Sequence, residues 1–271
     1  MAIITKVSNQ KKPGRYNIFL DGQYAFSASE QTVAKFLLLK GQELVPEKIH
    51  QVKQYDLDAK ATNLASKYLS YEPRTIYEVL QYLSKHNIDE ESAQNAVNQL
   101  SEMGFLDDQK YVALALSQNL RIGTDGPASF SQKMLQKGIT SEIVQLQLAK
   151  ISDDQWLDAG TRVIKSMKNQ VGKLAQRELE RKMRTKLFSH GFSSSLADSI
   201  ISKMNLQLDQ CQQLEALKKQ GIKAYKRFRR LSQKEREIKM RNYLYTHGFS
   251  SNEIESFIAG EIIPLSELAK Y

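Results

Sequence analysis

The chain has 271 residues and a net charge of +9, from 39 Lys and Arg against 30 Asp and Glu. Its 41% hydrophobic and 25% charged residues are typical of a soluble globular protein. The longest apolar run, FLLL at 36–39, is far too short to span a bilayer, and no charged leader precedes an apolar core at the N-terminus. A single cysteine, Cys211, excludes a disulfide framework and a CxxC metal site, so we expect a cytoplasmic protein.

The first segment of the chain predicts a small β-meander followed by a short helix. IITKVSN, RYNIFL and QYAFSA have strand-like composition, and Asp21-Gly22 suits a two-residue hairpin between the last two. We expect strands to be confined to roughly the first 28 residues. In the helix that follows, the spacing predicts one apolar face made of Val33, Phe36 and Leu37.

The rest of the chain contains a fourfold pattern of helix, turn and helix. The turn residues are Asn87, Gly138, Gly191 and Gly248, separated by 51, 53 and 57 residues. Asn and Gly tolerate the left-handed conformation that ends a helix, and an Asp, Thr or Ser two positions later can cap the next helix. Apolar residues four and eight positions before each turn, and ten after it, share one helix face. The pattern predicts four helical hairpins.

A further predicted helix precedes each of these hairpins. The four helices begin at or near Asp56, Asp107, Asp153 and Asp209, where the helix dipole favours a negative charge. Each unit thus holds three helices in roughly 50 residues, and such units contact mainly their neighbours in sequence. We predict a mainly α fold of tandem three-helix repeats, four helix–turn–helix-type units forming an elongated curved array, with a small N-terminal β-meander.

The domain organisation that follows has five segments. The predicted segments are 1–44 for the β-meander with its short helix, and 45–101, 102–151, 152–204 and 205–271 for the four helical repeats.

The four histidines do not indicate a catalytic or metal site. His86, His190 and His247 stand immediately before the turn residue of a hairpin, where an imidazole meets the last carbonyls and the negative end of the helix dipole. His50 is isolated. Helix capping is therefore favoured over catalysis and over metal binding.

Two other motifs that resemble sites of chemistry have structural explanations. The loop IGTDGP at 122–127 lacks the lysine and Ser/Thr of a phosphate-binding loop. The acid pairs at 107–108 and 153–154 each follow an apolar residue at the start of a helix, which favours N-terminal capping over metal binding. We find no active site and no cofactor motif, and we expect a protein that is not an enzyme.

The positive charge is concentrated in one part of the chain. Residues 1–159 contain 17 Lys and Arg against 19 Asp and Glu, whereas residues 160–241 contain 21 against 7, a net charge of +14. Residues 242–271 contain 1 against 4. Clustered Lys and Arg displace condensed counterions from phosphates, so this asymmetry indicates an acidic polymer as partner.

Two basic stretches are the candidate binding sites. RELERKMRTK (177–186) has basic residues at helical spacing, with Leu179, Met183 and Leu187 directed toward the core. KAYKRFRRLSQKEREIKMR (223–241) is denser, and its Tyr225 and Phe228 are suited to stacking on bases or, as we favour, to packing inside. A membrane contact ranks last because the apolar helix face is already used for packing. The candidate residues are Arg177, Arg181, Lys182, Arg184, Lys186, Lys223, Lys226, Arg227, Arg229, Arg230, Lys234 and Arg236.

Taken together, these motifs resemble the RecX family, regulators of the RecA recombinase, over almost the whole chain. The resemblance rests on EPRTIYEVLQYL, GFLDDQKYVALAL, MLQKGI and YKRFRRLSQKEREIKMRNYLYTHGFSSNEI, in this order and spacing. Asn87 stands where the family has a turn glycine, which the left-handed tolerance of asparagine accommodates. Ser129 and Ser131 stand where the family often carries basic residues, which weakens the case for binding by the second unit.

The resemblance implies a non-enzymatic regulator. Such a protein lies in the groove of the RecA–DNA filament and suppresses strand exchange, ATP hydrolysis and co-protease activity. Its partners would be the RecA filament and single- and double-stranded DNA without sequence preference, and we expect a monomer. Two alternatives remain: a sequence-specific helix–turn–helix transcription regulator, and a protein-binding helical solenoid that grips an acidic protein.

Overall fold

The computed structural model describes residues 1–11 and 13–268. It is 66% helical, with a small antiparallel sheet at the N-terminus, which confirms the prediction of a mainly α fold with a short β segment. Residues 269–271, the end of the last predicted repeat, lie outside the described residues.

The N-terminal sheet has four antiparallel strands in the order β3-β2-β1-β4. Leu20 pairs with Gln23, and the two residues between them, Asp21 and Gly22, have φ angles of 48° and 84°, as a two-residue hairpin turn requires. The expected limit of the strands was wrong, because β4 lies beyond residue 28 and pairs with the free edge of β1. The strands are β1 Ala2–Asn9, β2 Arg15–Leu20, β3 Gln23–Ser29 and β4 Glu43–Leu44.

The short helix α1, Glu30–Phe36, ends one residue before Leu37, which was the last residue of its predicted apolar face. Leu37 takes a left-handed conformation with φ 49° and is exposed, so its assignment to the packed face was wrong. Leu38 is buried in its place. The chain reverses at Leu37, and this reversal turns the next side chain inward.

Helix α2, Pro46–Leu69, begins well before the predicted start at Asp56. Proline at the first helical position suits a helix start because its missing N–H would have no partner there. Asp56 therefore lies inside the helix and does not cap it. Its carboxylate accepts hydrogen bonds from the Ser29 backbone at 2.6 Å, the Thr32 hydroxyl at 2.8 Å and Arg15 at 2.9 Å, and so joins α2 to the sheet.

The predicted hairpins are all present. Asn87, Gly138, Gly191 and Gly248 have φ angles of 57°, 78°, 81° and 90°, which confirms them as the left-handed turn residues. The remaining helices are α3 Ile76–Lys85, α4 Glu90–Glu102, α5 Asp108–Ile122, α6 Pro127–Gln136, α7 Ser141–Leu148, α8 Asp153–Ile164, α9 Gln176–Ser189, α10 Ser194–Met204, α11 Gln210–Phe228, α12 Gln233–Thr246, α13 Ser251–Ile258 and α14 Leu265–Leu268, with a 3-10 segment at Lys165–Gln170.

The contacts divide the chain into two compact units. The first comprises Met1–Ala113 and Met134–Val144, and the second comprises Leu114–Lys133 and the described residues from Gln145 on. In the first unit, one core lies under the sheet and a second lies among α2, α3 and α4. In the second unit, a core built largely from α11, α12 and α13 lies beneath the denser basic stretch. The division into five segments stays a prediction.

Candidate nucleic-acid interface

Helix α9 carries the first basic stretch, and its packing face is as predicted. Leu179, Met183 and Leu187 are fully buried. Arg177, Arg181 and the other cations of the stretch therefore lie on the remaining surface of the helix.

Two cations of α9 share the single negative charge of one buried glutamate. Glu178 is buried, and Arg181 donates two hydrogen bonds of 2.8 Å to its carboxylate through Nε and Nη2. Lys182 Nζ lies 3.6 Å from the same carboxylate. Burial by itself raises the pKa of Glu178, but the hydrogen bond from Arg181 and the charges of Arg181 and Lys182 outweigh it and hold this pKa below its usual value. Glu178 is thus ionised, and its charge is balanced first by Arg181, which makes the shorter contact.

Two more cations of α9 contact groups on neighbouring segments. Arg184 Nε donates to Asp198 at 2.9 Å, and its Nη1 lies 3.7 Å from Glu180. Lys186 Nζ donates to the Ser166 hydroxyl at 3.1 Å. Within the described part of the chain, Arg177 and Lys186 have no carboxylate within ion-pair distance, although the charge of Arg177 helps to lower the pKa of Glu253.

The second basic stretch lies where α11 ends and α12 begins. Phe228 is the last residue of α11 and Arg229 is its C-cap, so Lys226 and Arg227 occupy the last helical turn. The partial negative charge at a helix C-terminus stabilises cations there. Arg229 and Arg230 are exposed, and among residues 1–11 and 13–268 neither has a carboxylate within ion-pair distance.

An open hollow lies at this junction. Its volume is about 560 Å³, and it is lined by Lys226, Arg227, Arg229 and Arg230. Among the described residues no carboxylate lines it, although Lys226 also interacts with other groups of the protein. Four positive side chains around one concave surface form a site that complements an anion of several charges, such as a run of phosphates.

The nearest acidic side chain of the sequence is used in helix capping. Glu235 accepts hydrogen bonds from the Ser232 backbone at 3.2 Å and from its hydroxyl at 2.6 Å, in a capping box at the start of α12. The hydrogen bonds from Ser232 hold the pKa of Glu235 below its usual value. This carboxylate caps the start of α12 and, within the described residues, makes no ion pair with Arg229 or Arg230.

The two aromatic residues of the stretch pack on the core, as the sequence favoured. Tyr225 and Phe228 are half-buried against the core of the second unit, and the Phe228 ring meets Tyr243 edge-on with centroids 6.3 Å apart. Arg227 lies 5.5 Å from the Phe228 centroid, and Arg236 lies 4.9 Å from that of Tyr225. The rings therefore position two of the arginines through cation–π contacts. Lys223 and Lys234 are exposed on either side.

One ion pair near this surface was missed in the sequence. Arg241 Nη2 donates to Glu255 at 2.7 Å, and Arg184 makes the matching contact with Asp198 at 2.9 Å. In both hairpins the arginine stands seven positions before the turn glycine and the acid seven positions after it. Extending the repeat alignment to charged positions would have revealed this pair.

The histidines at the turns and the first acid pair have the structural roles that the sequence favoured. His86, His190 and His247 are the C-cap residues of α3, α9 and α12. Asp107 accepts from the backbone of Lys110 at 2.9 Å, which is a capping bond. In the second pair the expectation was partly wrong, because Ser152 is the N-cap of α8 and the two aspartates follow it in the first turn.

The comparisons with known proteins identify the family. Residues 2–45 match the Regulatory protein RecX N-terminal domain, and residues 61–100 and 211–258 match the first and third three-helix domains of RecX. A regulatory protein RecX from Lactobacillus delbrueckii subsp. bulgaricus is 53% identical over 271 residues, with 100% of each chain covered. The chain belongs to the RecX family.

Other relatives and solved structures agree with this assignment. A regulatory protein RecX from Lactobacillus gasseri is 48% identical, with 100% of each chain covered. A crystal structure of regulatory protein RecX superposes with a TM-score of 0.62 at 30% identity, covering 74% of this chain and 100% of that one. The crystal structure of RecX from Lactobacillus salivarius gives 0.53 at 25% identity, covering 56% and 99%. These findings confirm the resemblance seen in the sequence and make the chain a RecX-type regulatory protein.

Within the described residues, none of the helices combines the length and apolar character needed to cross a bilayer.

Proposed function

We propose that this RecX-family chain is a non-enzymatic inhibitor of the RecA recombinase. It lies in the groove of the RecA–DNA filament as a monomer in the cytoplasm and reduces ATP hydrolysis, strand exchange and co-protease activity. Its contacts are with RecA and with the phosphates of single- and double-stranded DNA, without sequence preference. Family membership supports the regulatory role.

One observation carries the DNA contact in this proposal. The hollow at the α11–α12 junction is lined by four cations and, in the part of the chain that the structure describes, by no carboxylate. Burying a positive side chain without a counter-charge is unfavourable, and these four cations instead surround an open concave surface. Such an arrangement attracts an anion that carries several charges. DNA phosphates provide such an anion, and release of condensed counterions supplies the free energy of binding.

The two basic stretches have unequal parts in the proposed contact. In α9, the carboxylates of Glu178, Glu180 and Asp198 lie beside Arg181, Lys182 and Arg184, so a phosphate would have to compete with them. Arg229 and Arg230 have no such competitor in the described residues. We therefore assign the main phosphate contact to the α11–α12 junction and a supporting contact to α9.

The decisive experiment is an ATPase assay of RecA on single-stranded DNA, with this protein titrated in. We expect ATP hydrolysis to fall as the protein approaches the amount of RecA. The R229A/R230A double variant should inhibit less. A K60A/K67A variant, which removes two exposed lysines from α2, should inhibit like the unmodified protein. Absence of inhibition at stoichiometric amounts would remove the proposed function.

Two DNA-binding measurements distinguish the alternatives. Protection of one defined DNA sequence would indicate a helix–turn–helix transcription regulator. No affinity for any DNA at low salt would indicate a solenoid that binds protein alone.

A further inference from the structure

Two exposed aromatic rings occupy the same position in consecutive hairpins. Phe188 stands three residues before Gly191, and Tyr245 stands three residues before Gly248. The exposed fractions of Phe188 and Tyr245 are 49% and 66%. Scattered exposed apolar residues are normal in proteins, but these two recur at one repeat position within the basic part of the chain.

Each ring has an arginine beside it on the same helix face. Arg184 precedes Phe188 by four residues and Arg241 precedes Tyr245 by four, the spacing at which helical side chains are neighbours. Each of these arginines is anchored by its ion pair with the second helix of its hairpin, at 2.9 Å and 2.7 Å respectively. The acid fixes the guanidinium, so on both helices an anchored arginine stands four residues before an exposed ring.

The two helices that carry these pairs meet end to start. Gly248, just beyond the end of α12, lies at the first turn of α9, where a Cβ added to the glycine would be 2.9 Å from the Glu178 backbone nitrogen. Tyr245 is thus close to the beginning of α9, and Phe188 is close to its end. From Arg177 to Phe188 the helix rises about 17 Å at 1.5 Å per residue.

The chemistry of this surface favours an unpaired nucleic-acid strand. A strand that follows the exposed side chains of α9 and α12 would meet one aromatic ring on each helix, Phe188 and then Tyr245, within the basic part of the chain. Base–aromatic stacking tolerates any sequence because every base has a π face, whereas a duplex keeps these faces inside its own stack. The net charge of +14 over residues 160–241 also favours a polyanion over an apolar protein partner.

We propose that Phe188 and Tyr245 are stacking platforms for the bases of single-stranded nucleic acid. This inference deepens the proposed function and rests on it. The α11–α12 junction binds the phosphates of any strand, and the two rings add a preference for unpaired bases.

The test compares an oligo(dT) single strand with a duplex of equal length. F188A and Y245A should each weaken binding of the single strand roughly five- to a hundredfold, whereas duplex affinity and the salt dependence stay unchanged. The matched control is L135A, because Leu135 stands three residues before Gly138, is 46% exposed and cannot stack as a ring does. F188L keeps apolar area without a ring and should bind as weakly as F188A.

A fluorescence measurement reports stacking directly. In the F188W variant the other tryptophan is the buried Trp156, so quenching of the new indole on addition of oligo(dT) indicates a base on the ring. Thermal melting verifies that each variant is folded, as expected for exposed positions.

Three results would overturn the inference. They are equal losses on single strand and duplex, unchanged single-strand affinity in the F188A/Y245A double variant, and recovery of affinity in F188L. Unchanged affinity together with lost RecA inhibition would make the rings a protein contact. In all these cases the proposed function stands if the unmodified protein inhibits RecA and binds duplex DNA. Failure of the unmodified protein to bind DNA would remove both proposals.

Discussion

Gly191 lies so close to Ser129 that a Cβ on the glycine would collide with the backbone nitrogen of the serine. The turn after α9 therefore rests on the first turn of α6, and the Gly126 N–H donates to the His190 carbonyl at 2.7 Å. The contact brings the negative end of one helix to the positive end of another. The turns at Gly138 and Gly248 meet the first turns of α3 and α9 in the same way.

This contact predicts different costs for substitutions at two turn glycines. G191A should lower the free energy of unfolding by the strain of a left-handed alanine, about 1–2 kcal/mol, plus a collision cost of about 1–3 kcal/mol. G104A is the matched control, since Gly104 has φ 78° but no neighbour within 4 Å of its would-be Cβ. Urea denaturation measures both variants. Equal losses of unfolding free energy in G191A and G104A would show that α6 leaves space for a Cβ at residue 191.

Removing two arginines from the hollow should change the salt dependence of DNA binding. If Arg229 and Arg230 each meet a phosphate of a single strand, R229A/R230A should reduce the slope of log affinity against log salt by about 1.4. The effect should be alike on all sequences because phosphates carry no sequence information. K60A/K67A should leave the slope unchanged. If R229A/R230A keeps the salt slope of the unmodified protein, the phosphate contact lies on α9 instead.

Truncating Phe228 should affect stability more than binding. The ring packs half-buried against Tyr243 and the core, so F228A should cost about 1–3 kcal/mol of unfolding free energy, less than a fully buried phenylalanine. Thermal or urea denaturation measures this loss. DNA affinity of the folded protein should fall only slightly, through the lost cation–π contact of Arg227. A large loss of affinity with unchanged stability would indicate that the ring stacks on bases.

Asp56 should make the first unit sensitive to acid. Burial raises its pKa, but hydrogen bonds from Ser29 and Thr32 and the charge of Arg15 outweigh burial and hold the pKa below 3.8. The unfolded chain then binds the proton more readily, so this stabilisation is complete well above pH 3.8 and is lost as the pH falls through the folded-state pKa.

The D56N variant tests this linkage. It should cost on the order of 1–3 kcal/mol near neutral pH, because an amide cannot replace the charged acceptor of Arg15. Urea denaturation should show the difference from the unmodified protein shrinking as the pH falls below 3.8. A difference independent of pH would mean that Asp56 does not contribute through its charge.

The sequence by itself determined the repeat, its turn residues and its family. These features depend on local rules: left-handed backbone at Asn87 or Gly191, a capping side chain two positions later, and apolar residues on one helix face. These rules involve residues only a few positions apart in the chain, so the amino-acid sequence alone is sufficient to predict the helices and turns that follow from them. The four-residue spacing also predicted the buried face of α9.

Only the tertiary structure decided which of the basic residues are available to a partner. Arg181 and Arg229 are both exposed arginines in a basic stretch, yet Arg181 compensates the buried Glu178 and Arg229 lines the hollow. The sequence likewise predicted Asp56 as a helix cap, but this residue lies inside α2 and binds the sheet. Ion pairing and burial depend on distances between segments far apart in the chain, and Coulomb interactions act through space, whatever the separation in sequence.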